Sequence, residues 1–581
     1  MRKTKIVCTL GPATDKDGIL RDMIRAGMNV ARFNFSHGDH PSHRARFEAL
    51  KAAREELGRP VAALLDTKGP EIRLKNFKEG KVELKSGNEF TLTTRDVEGD
   101  ETICSITYKN LPRDVKRGNT ILLDDGLVSL KVLETGATDI KCKIENDGIM
   151  KNNKGVNVPN VRLSMPYMSE RDREDILFGA EVGFDFIAAS FVRCAADVRE
   201  IRALLDSVDS RIRIIAKIEN QDGVSNLPEI LSVADGIMVA RGDLGVEVDF
   251  TEIPGIQKDI INQCVAAGKP VITATQMLDS MANNPRPTRA EITDVANAIY
   301  DGTSAVMLSG ETAAGKYPVE TVRTMHEIAL RTESKIELGK QKVTKSTRRM
   351  SVTSATAHAA CTTAQDIGAT AILTVSQRGI TAQMVSRFRP STNVIALLLD
   401  EQVQRQMNLY WGVEPLVMPY ANSTDELIEV AVTTALQAGV INEGEMVVVT
   451  AGVPVGVAGT TNMIRIHQVG SVLVGGMGIG TKKASGPLCV CHTLEEVHEK
   501  FTPGDVLVVP YTNNDILPYI REAAAVICEE AGTDCHTATV GLTMDKPVIV
   551  GILNATRRME SGTLVTVDCL HGVIHARGEQ H

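Results

Sequence analysis

Along roughly the first 335 residues, short apolar runs alternate with stretches whose apolar positions recur every three to four residues. Runs of the first kind fit strands buried on both faces, and stretches of the second kind fit amphipathic helices. The pattern predicts eight strands, at residues 5–9, 29–33, 61–66, 184–189, 212–218, 236–240, 270–275 and 304–308. Repeated βα units of that number imply an α/β fold, a (β/α)8 barrel, whose chemistry belongs at the C-terminal ends of the strands. After residue 69 the rhythm changes to short alternating runs such as 82–84 and 90–92, and Asp125-Gly126 between apolar flanks signals a hairpin. A β domain inserted after strand three is therefore expected, placed to act as a lid that keeps water from the rim. Residues 336–353, rich in Lys, Arg, Ser and Thr, read as a linker. Beyond it α/β alternation resumes, with strands expected at 371–375, 394–399 and 446–450. The expected division is a barrel of 1–69 with 167–335, a lid of 70–166, an α/β domain of 336–472 and a further domain of 473–581.

At 581 residues the chain is too long for one core, in keeping with several domains. Only 4% of residues are aromatic and Trp411 is the single tryptophan, so burial must rest on aliphatic side chains. A net charge of -9 argues against nucleic-acid or anionic-membrane partners. No signal-peptide pattern or membrane-length apolar run is present, which points to the cytoplasm. The eleven cysteines are odd in number and lack pairing rhythm, and Cys489 and Cys491 stand too close together for a tetrahedral zinc site. Reduced thiols are expected.

The predicted strand ends are polar nearly throughout: Arg32, Asn34 and Ser36; Asp66, Thr67, Lys68 and Arg73; Ser190; Lys217 and Glu219; Arg241 and Asp243; Thr273 and Thr275; Ser309 and Glu311. Any one of these alone is a helix cap or a solvated turn. Together they read as an active-site rim. Lys217 and Glu219 share one face of their strand, because positions i and i+2 do. With Asp243 they offer two carboxylates for an octahedral Mg²⁺ and a cation left to meet a phosphoryl group.

Several longer runs carry a resemblance. NVARFNFSHG at 29–38, DTKGPEIR at 66–73, TATQML at 273–278, RPTRAE at 286–291 and SGETA at 309–313 follow in order around the Lys217 and Asp243 segments. Over residues 1 to about 470 the chain resembles the pyruvate kinases. The resemblance implies transfer of the phosphoryl group of phosphoenolpyruvate to ADP, giving pyruvate and ATP, the last step of glycolysis, by an allosteric homotetramer. Lys217, helped by Arg32, would neutralise the moving phosphoryl group, since phosphoryl transfer needs positioning and charge more than covalent chemistry. Backbone N–H groups of Gly242 and Asp243 with the Thr275 hydroxyl would receive the carboxylate, Ser190 would line the substrate site, and Thr275 would organise protonation through water. Glu219 and Asp243 would hold Mg²⁺ or Mn²⁺. Asn34, Ser36, Asp66 and the Thr67 carbonyl match a K⁺ site, and Glu71 goes with K⁺-dependent members where others carry Lys. Arg73, Asn34, His37 and Lys154 would meet the nucleotide, although Lys154 reads equally well as a solvated loop lysine.

By the same resemblance the α/β domain binds a phosphorylated effector, a sugar phosphate or AMP, on a loop of Thr374, Ser376, Arg378 and Thr381. The stretch 376–390 looks about two residues longer than usual, which leaves the effector open. Past residue 471, GGMGIG at 475–480, ASGP at 484–487 and GTDCHTA at 532–538 resemble the mobile phosphohistidine domain of phosphoenolpyruvate-utilising enzymes. His536 would be its phosphate carrier. Asp534 and Cys535 stand where that family has Thr-Ser, however, putting an anion beside the histidine, and no ATP-grasp pattern accompanies it. A structural or regulatory role is the expectation. The glycine run alone is weak as a nucleotide cradle. Two other readings compete: a barrel lyase handling enolates with carboxylate-held Mg²⁺, disfavoured by the lid and the Arg32/Arg73 cations, and a sensor or scaffold that lost activity, disfavoured because Arg32, Lys217, Glu219, Asp243 and Thr275 all stand in place.

Overall fold

Eight parallel strands close into a barrel: β1 (Lys5–Thr9), β2 (Val30–Asn34), β3 (Ala62–Asp66), β4 (Phe186–Ala189), β5 (Arg213–Ile218), β6 (Gly236–Ala240), β7 (Val271–Ala274) and β8 (Ala305–Leu308). Each strand hydrogen-bonds its neighbour in sequence and β1 pairs with β8. The strands fall where the apolar runs predict them. Their alternate positions explain why those runs are uninterrupted. Val7, Val30, Leu64, Phe186, Ile215 and Met238 fill the interior of the ring, while Ile6, Ala31, Leu65, Ile187, Ala216 and Val239 meet the helices outside. Both faces are largely dry, so polar positions gather toward the strand ends. The intervening helices Glu170–Val182 and Arg289–Tyr300 each begin at a capping box, Ser169 with Asp172 and Thr288 with Glu291.

This computed structural model describes residues 2–336, 350–421, 423–453, 461–469, 472–570 and 572–576. Most of the predicted linker, 337–349, lies outside the described residues. The chain forms two compact units, the first being Met1–Asp366, Ala371–Thr434 and Val449–Arg465, and the second Ile367–Thr370, Ala435–Val448 and Ile466–His581.

In the first unit the insertion after β3 is a β domain of its own. Its sheet runs in the order Ile72–Arg73, Gly155–Asn157, Thr120–Leu123, Val128–Thr135, Asp139–Ile144, Glu89–Thr93 and Ile103–Ser105. The predicted hairpin joins Thr120–Leu123 to Val128–Thr135, and its tip holds Asp124, Asp125 and Gly126 at φ 53°, 55° and 86°. Farther along, parallel strands Ala371–Val375, Asn393–Leu398 and Val413–Val417 pair in sequence. Strand Met446–Gly452 follows.

The second unit contains two half-sheets that share the strand Lys483–Val490, which pairs antiparallel with Leu564–Asp568 through its first half and parallel with Val506–Val509 through its second. At the far seam Val472–Gly475 pairs with Val573–Ala576 and Met477–Ile479 with Val548–Val550, so one residue, Gly476, carries the chain from one edge to the other. The glycine run is packed rather than open. A Cβ on Gly478 would lie 1.8 Å from the Cys569 carbonyl oxygen, and one on Gly476 2.6 Å from Ile552. That packing accounts for the glycines better than a nucleotide cradle does. No helix among the described residues is long and apolar enough to cross a membrane.

Candidate active site

The rim is organised around Lys217, at the end of β5 and buried to 8% exposure. Its ammonium lies 3.1 Å from Asp66 Oδ1 and 2.9 Å from Glu219 Oε1 and donates to Ser190 Oγ at 2.8 Å. The lysine is therefore not left free, as its strand position alone suggests: it is hydrogen-bonded to Asp66 and Ser190 and ion-paired with Glu219. Burial pushes the ammonium down, but the carboxylates of Asp66 and Glu219 outweigh it and the net shift is upward, so Lys217 is held charged. Asp66 in turn accepts from Arg32 Nε at 2.6 Å. Burial alone would raise the Asp66 carboxyl, yet Arg32 and Lys217 bring it below its ordinary range. Arg32 also donates to Thr9 Oγ1 at 3.0 Å.

Glu219 is fully buried and its carboxyl is pushed up to about 7 by burial, with Lys217 opposing and Asp243 adding to the rise. Its Oε2 accepts from the Phe191 N–H at 2.6 Å, whereas Oε1, beside Lys217, has no hydrogen-bond partner. A buried carboxylate oxygen without a hydrogen bond, beside a second carboxylate, is a donor set that fits a hard divalent cation. Asp243 does not end a strand. It lies in the first turn of helix Arg241–Glu247, half-buried. The oxygens proposed for a monovalent cation gather where β2 and β3 end, Asn34 being the register partner of Asp66. Asn34 Oδ1 accepts only from the Ser36 N–H, at 3.1 Å, and the Thr67 carbonyl accepts from Ser190 Oγ at 2.6 Å. Uncharged oxygens with a spare lone pair beside one carboxylate suit K⁺.

Across the barrel mouth, Thr275 just past β7 has φ 68° and Gln276 φ 55°. The Gly242 N–H donates to Thr275 Oγ1 at 2.8 Å, and that hydroxyl donates to the Ala274 carbonyl at 2.6 Å. The structure thus brings Gly242 and Thr275 into direct contact.

A cavity of about 260 Å³ opens between lid and barrel, lined by Arg73, Lys154, Asp125, Phe191, Asp243 and Glu247 among others. Arg73 pairs with Glu71 at 2.7 Å and Lys154 with Asp124 at 2.8 Å. Asn34 and His37 do not line this cavity, and His37 is exposed. The Asn157 amide donates to Glu247 at 2.8 Å, tying a lid strand to the helix that carries Asp243. Nothing local in the sequence marks that pair.

Four polar positions turn out to serve the fold. Thr273 bonds Thr303 at 3.0 Å within the barrel, and Glu311 accepts the N–H groups of Ser309 at 2.6 Å and Leu278 at 3.2 Å. Thr374 is a fully buried strand residue whose hydroxyl donates to the Ile395 carbonyl at 3.2 Å, so it is not part of an anion loop. Thr381 is buried against Thr461, hydroxyl to hydroxyl at 2.7 Å. Ser376 and Arg378 stay nearer the surface, and Arg378 presents its carbonyl to Arg213 at 2.8 Å. In the second unit His536 is engaged through both ring nitrogens, by Thr512 Oγ1 at 2.7 Å and Asn514 Oδ1 at 3.1 Å, while Asp534 is exposed.

A closed parallel barrel with a buried, charged lysine among carboxylates, and under a lid a cavity where Arg73 and Lys154 stand among carboxylates that can share a cation with a phosphate, define a kinase-type enzyme, one that transfers phosphoryl groups. The family models for the pyruvate kinase barrel domain and the pyruvate kinase alpha/beta domain match residues 1–322 and 354–467, and that for the mobile domain of PEP-utilising enzymes matches 501–572. The chain is 51% identical over 580 residues to a pyruvate kinase of Geobacillus stearothermophilus, covering 99% of this chain and 98% of that one. To a pyruvate kinase of Sporosarcina psychrophila it is 49% identical over 582 residues, 99% of each. A crystal structure of a pyruvate kinase from Cryptosporidium parvum superposes with TM-score 0.76 at 38% identity, over 81% of this chain and 96% of that one. The chain belongs to the pyruvate kinase family.

Proposed function

We propose that the chain works as a pyruvate kinase through the rim residues described above. The reaction is transfer of the phosphoryl group of phosphoenolpyruvate to ADP, giving pyruvate and ATP. The observation that carries the residue assignment is Lys217, buried and charged between Asp66 and Glu219 at the C-terminal mouth of the barrel. It exchanges those contacts for the phosphoryl oxygens as negative charge builds on them, and Arg32 supports it from Asp66. The divalent cation, Mg²⁺ or Mn²⁺, neutralises phosphoryl charge when bound, and Glu219 and Asp243 would hold it. K⁺ would rest on Asn34, Ser36, Asp66 and the Thr67 carbonyl. Gly242 and Asp243 N–H groups with Thr275 receive the substrate carboxylate, Ser190 holds Lys217 in line, and Arg73 and Lys154 reach the nucleotide from the lid side. Thr275 then orders the water that gives the enolate its proton at carbon.

The assembly is a cytoplasmic homotetramer whose α/β domain takes a phosphorylated effector at Ser376 and Arg378, the hydroxyls of Thr374 and Thr381 being engaged within the fold. In the second unit, a histidine bonded through both nitrogens favours a structural or regulatory role over phosphate transfer. The test is pyruvate and ATP formation from phosphoenolpyruvate and ADP, with Mg²⁺ and K⁺ withheld in turn. Dependence on both ions is expected. Activity indifferent to K⁺ would discard the Asn34/Asp66 cation site, and activity indifferent to divalent cations would discard the Glu219/Asp243 site.

A further inference from the structure

The Thr275–Gln276 turn is strained: two successive residues without glycine's freedom sit in the left-handed region, at φ 68° and 55°, and the first is β-branched. Such conformations are costly and persist only where surrounding contacts over-determine them. Here the contacts converge on one side chain. Arg241 Nη2 donates to the Thr275 carbonyl at 2.8 Å, and Nε reaches the Ala274 carbonyl at 3.4 Å. The guanidinium is fixed from behind by Asp294 of helix Arg289–Tyr300, which accepts from Nη1 and Nη2 at 2.7 Å each, a two-pronged pairing only a planar fork can make. Arg241 is only 10% exposed at its side chain and touches no residue assigned to phosphate. Its next neighbour in the chain is Gly242, whose N–H holds the Thr275 hydroxyl. One residue thus anchors the turn's backbone by its side chain and places the donor to the turn's hydroxyl by its main chain.

We infer that Arg241, braced by Asp294, is the positioning residue for the proton-delivery half of the reaction. It holds Thr275 in the strained turn from which the hydroxyl orders the proton-donating water. This rests on the reading of Thr275 given above. In that half-reaction the enolate left by phosphoryl transfer gains a C–H bond at its methylene carbon. The electron pair of its C–O⁻ closes the carbonyl, and the hydroxide left by the donor water is reprotonated from solvent. Phosphoryl transfer runs on the Lys217 side and meets the Arg241 brace only through carboxylate binding at Gly242 and Thr275, whereas protonation depends on the placement of the Thr275 hydroxyl itself. Loss of the brace therefore falls harder on the protonation half.

The experiment uses the full-length protein with Mg²⁺, K⁺ and ATP, and compares deuterium uptake into the methyl group of pyruvate with ATP formation from phosphoenolpyruvate and ADP. Arg241→Gln is expected to slow methyl exchange at least tenfold more than it slows ATP formation, and to raise the solvent isotope effect on exchange. Arg241→Lys, which reaches one partner but cannot fork, should restore only part of the loss. Asp294→Asn, milder for folding, should show the same imbalance to a smaller degree, and it decides the matter if Arg241→Gln does not fold. Equal losses in both assays, or none, would overturn the inference. Thr275→Val separates the two claims: if that change spares exchange, the Thr275 reading itself fails. If it abolishes exchange while the Arg241 and Asp294 variants keep the two rates in proportion, only the brace fails.

Discussion

Replacing Lys217 by Met tests the centre of the site twice, once through catalysis and once through stability. The ammonium is the only lysine cation on Asp66 Oδ1, Glu219 Oε1 and Ser190 Oγ, at 3.1, 2.9 and 2.8 Å. Removing one preorganised donor aimed at developing charge costs about 10²–10³ in turnover, and a full cation on a phosphoryl group should reach the upper end, about 4 kcal/mol. Stability behaves differently. Asp66 keeps Arg32, but Glu219 loses its counter-charge. Removing one partner of a buried pair commonly costs about 3–5 kcal/mol. Here the cost near neutrality should be far smaller, because burial already brings Glu219 to about 7 with the lysine present. In the variant Glu219 simply keeps its proton. The folded variant then holds a proton that the unfolded chain has released, so its stability falls as pH rises. The gap from wild type should be under about 1 kcal/mol at pH 7 from this source and widen by roughly 1.4 kcal/mol per unit above it. Urea unfolding at pH 7, 8 and 9 beside a coupled pyruvate assay measures both. Near-normal turnover would remove Lys217 from its role. A gap that stays flat with pH would refute the proton bookkeeping at Glu219, and adding Glu219→Gln should abolish the slope.

Three further outcomes are expected. Glu71→Lys, which places an ammonium beside the Arg73 and Lys68 now paired with Glu71 at 2.7 and 3.9 Å, should relieve the K⁺ requirement, and an unchanged K⁺ titration would count against the cation site. Burial, with Arg2 nearby, pushes the Lys5 ammonium down to about 7, so folding releases its proton between that value and the ordinary 10.5. Stability should accordingly climb with pH across that window in the wild type and less steeply in Lys5→Met, and identical slopes in denaturation series at pH 7–9 would show that Lys5 stays charged. Gly478→Ala forces a methyl onto the Cys569 carbonyl, 1.8 Å away, and should expose 466–581 to limited proteolysis while Lys217-dependent turnover survives; resistance equal to wild type would refute the packing argument.

The barrel was readable because its strands are buried on both faces, which leaves polar residues few places to stand except toward the ends. That same logic over-reached at Thr273 and Glu311, as the family resemblance did at Thr374 and Thr381. A hydroxyl or carboxylate at a strand end looks alike in sequence whether it faces a ligand or a backbone N–H or carbonyl. Only packing separates Lys217, among carboxylates, from Thr374, against the Ile395 carbonyl. Strand Val413–Val417 escaped notice because Pro415 interrupts its run; the structure tolerates the proline because the parallel pairing recorded for this strand is to Asn393–Leu398 alone. Arg241 stood in the polar rim from the start but without a task, because its partners Thr275 and Asp294, 34 and 53 residues on, are brought to it only by folding.

That closure has a cost in time. The ring is completed by β1 pairing with β8, Lys5 against Ala305 and Cys8 against Leu308. A ribosome working at about 5–20 residues per second leaves the first strand without its second neighbour for some 15–60 s. The lid is different: its sheet lies wholly within Ile72–Asn157 and can form while the barrel is still half made. The nascent chain thus carries a finished lid on an open sheet whose edges, β1 on one side and the latest strand on the other, are bare for that interval. Conditions that slow translation in the stretch between β3 and β8 should therefore raise aggregation of this protein without altering a single contact of its finished form.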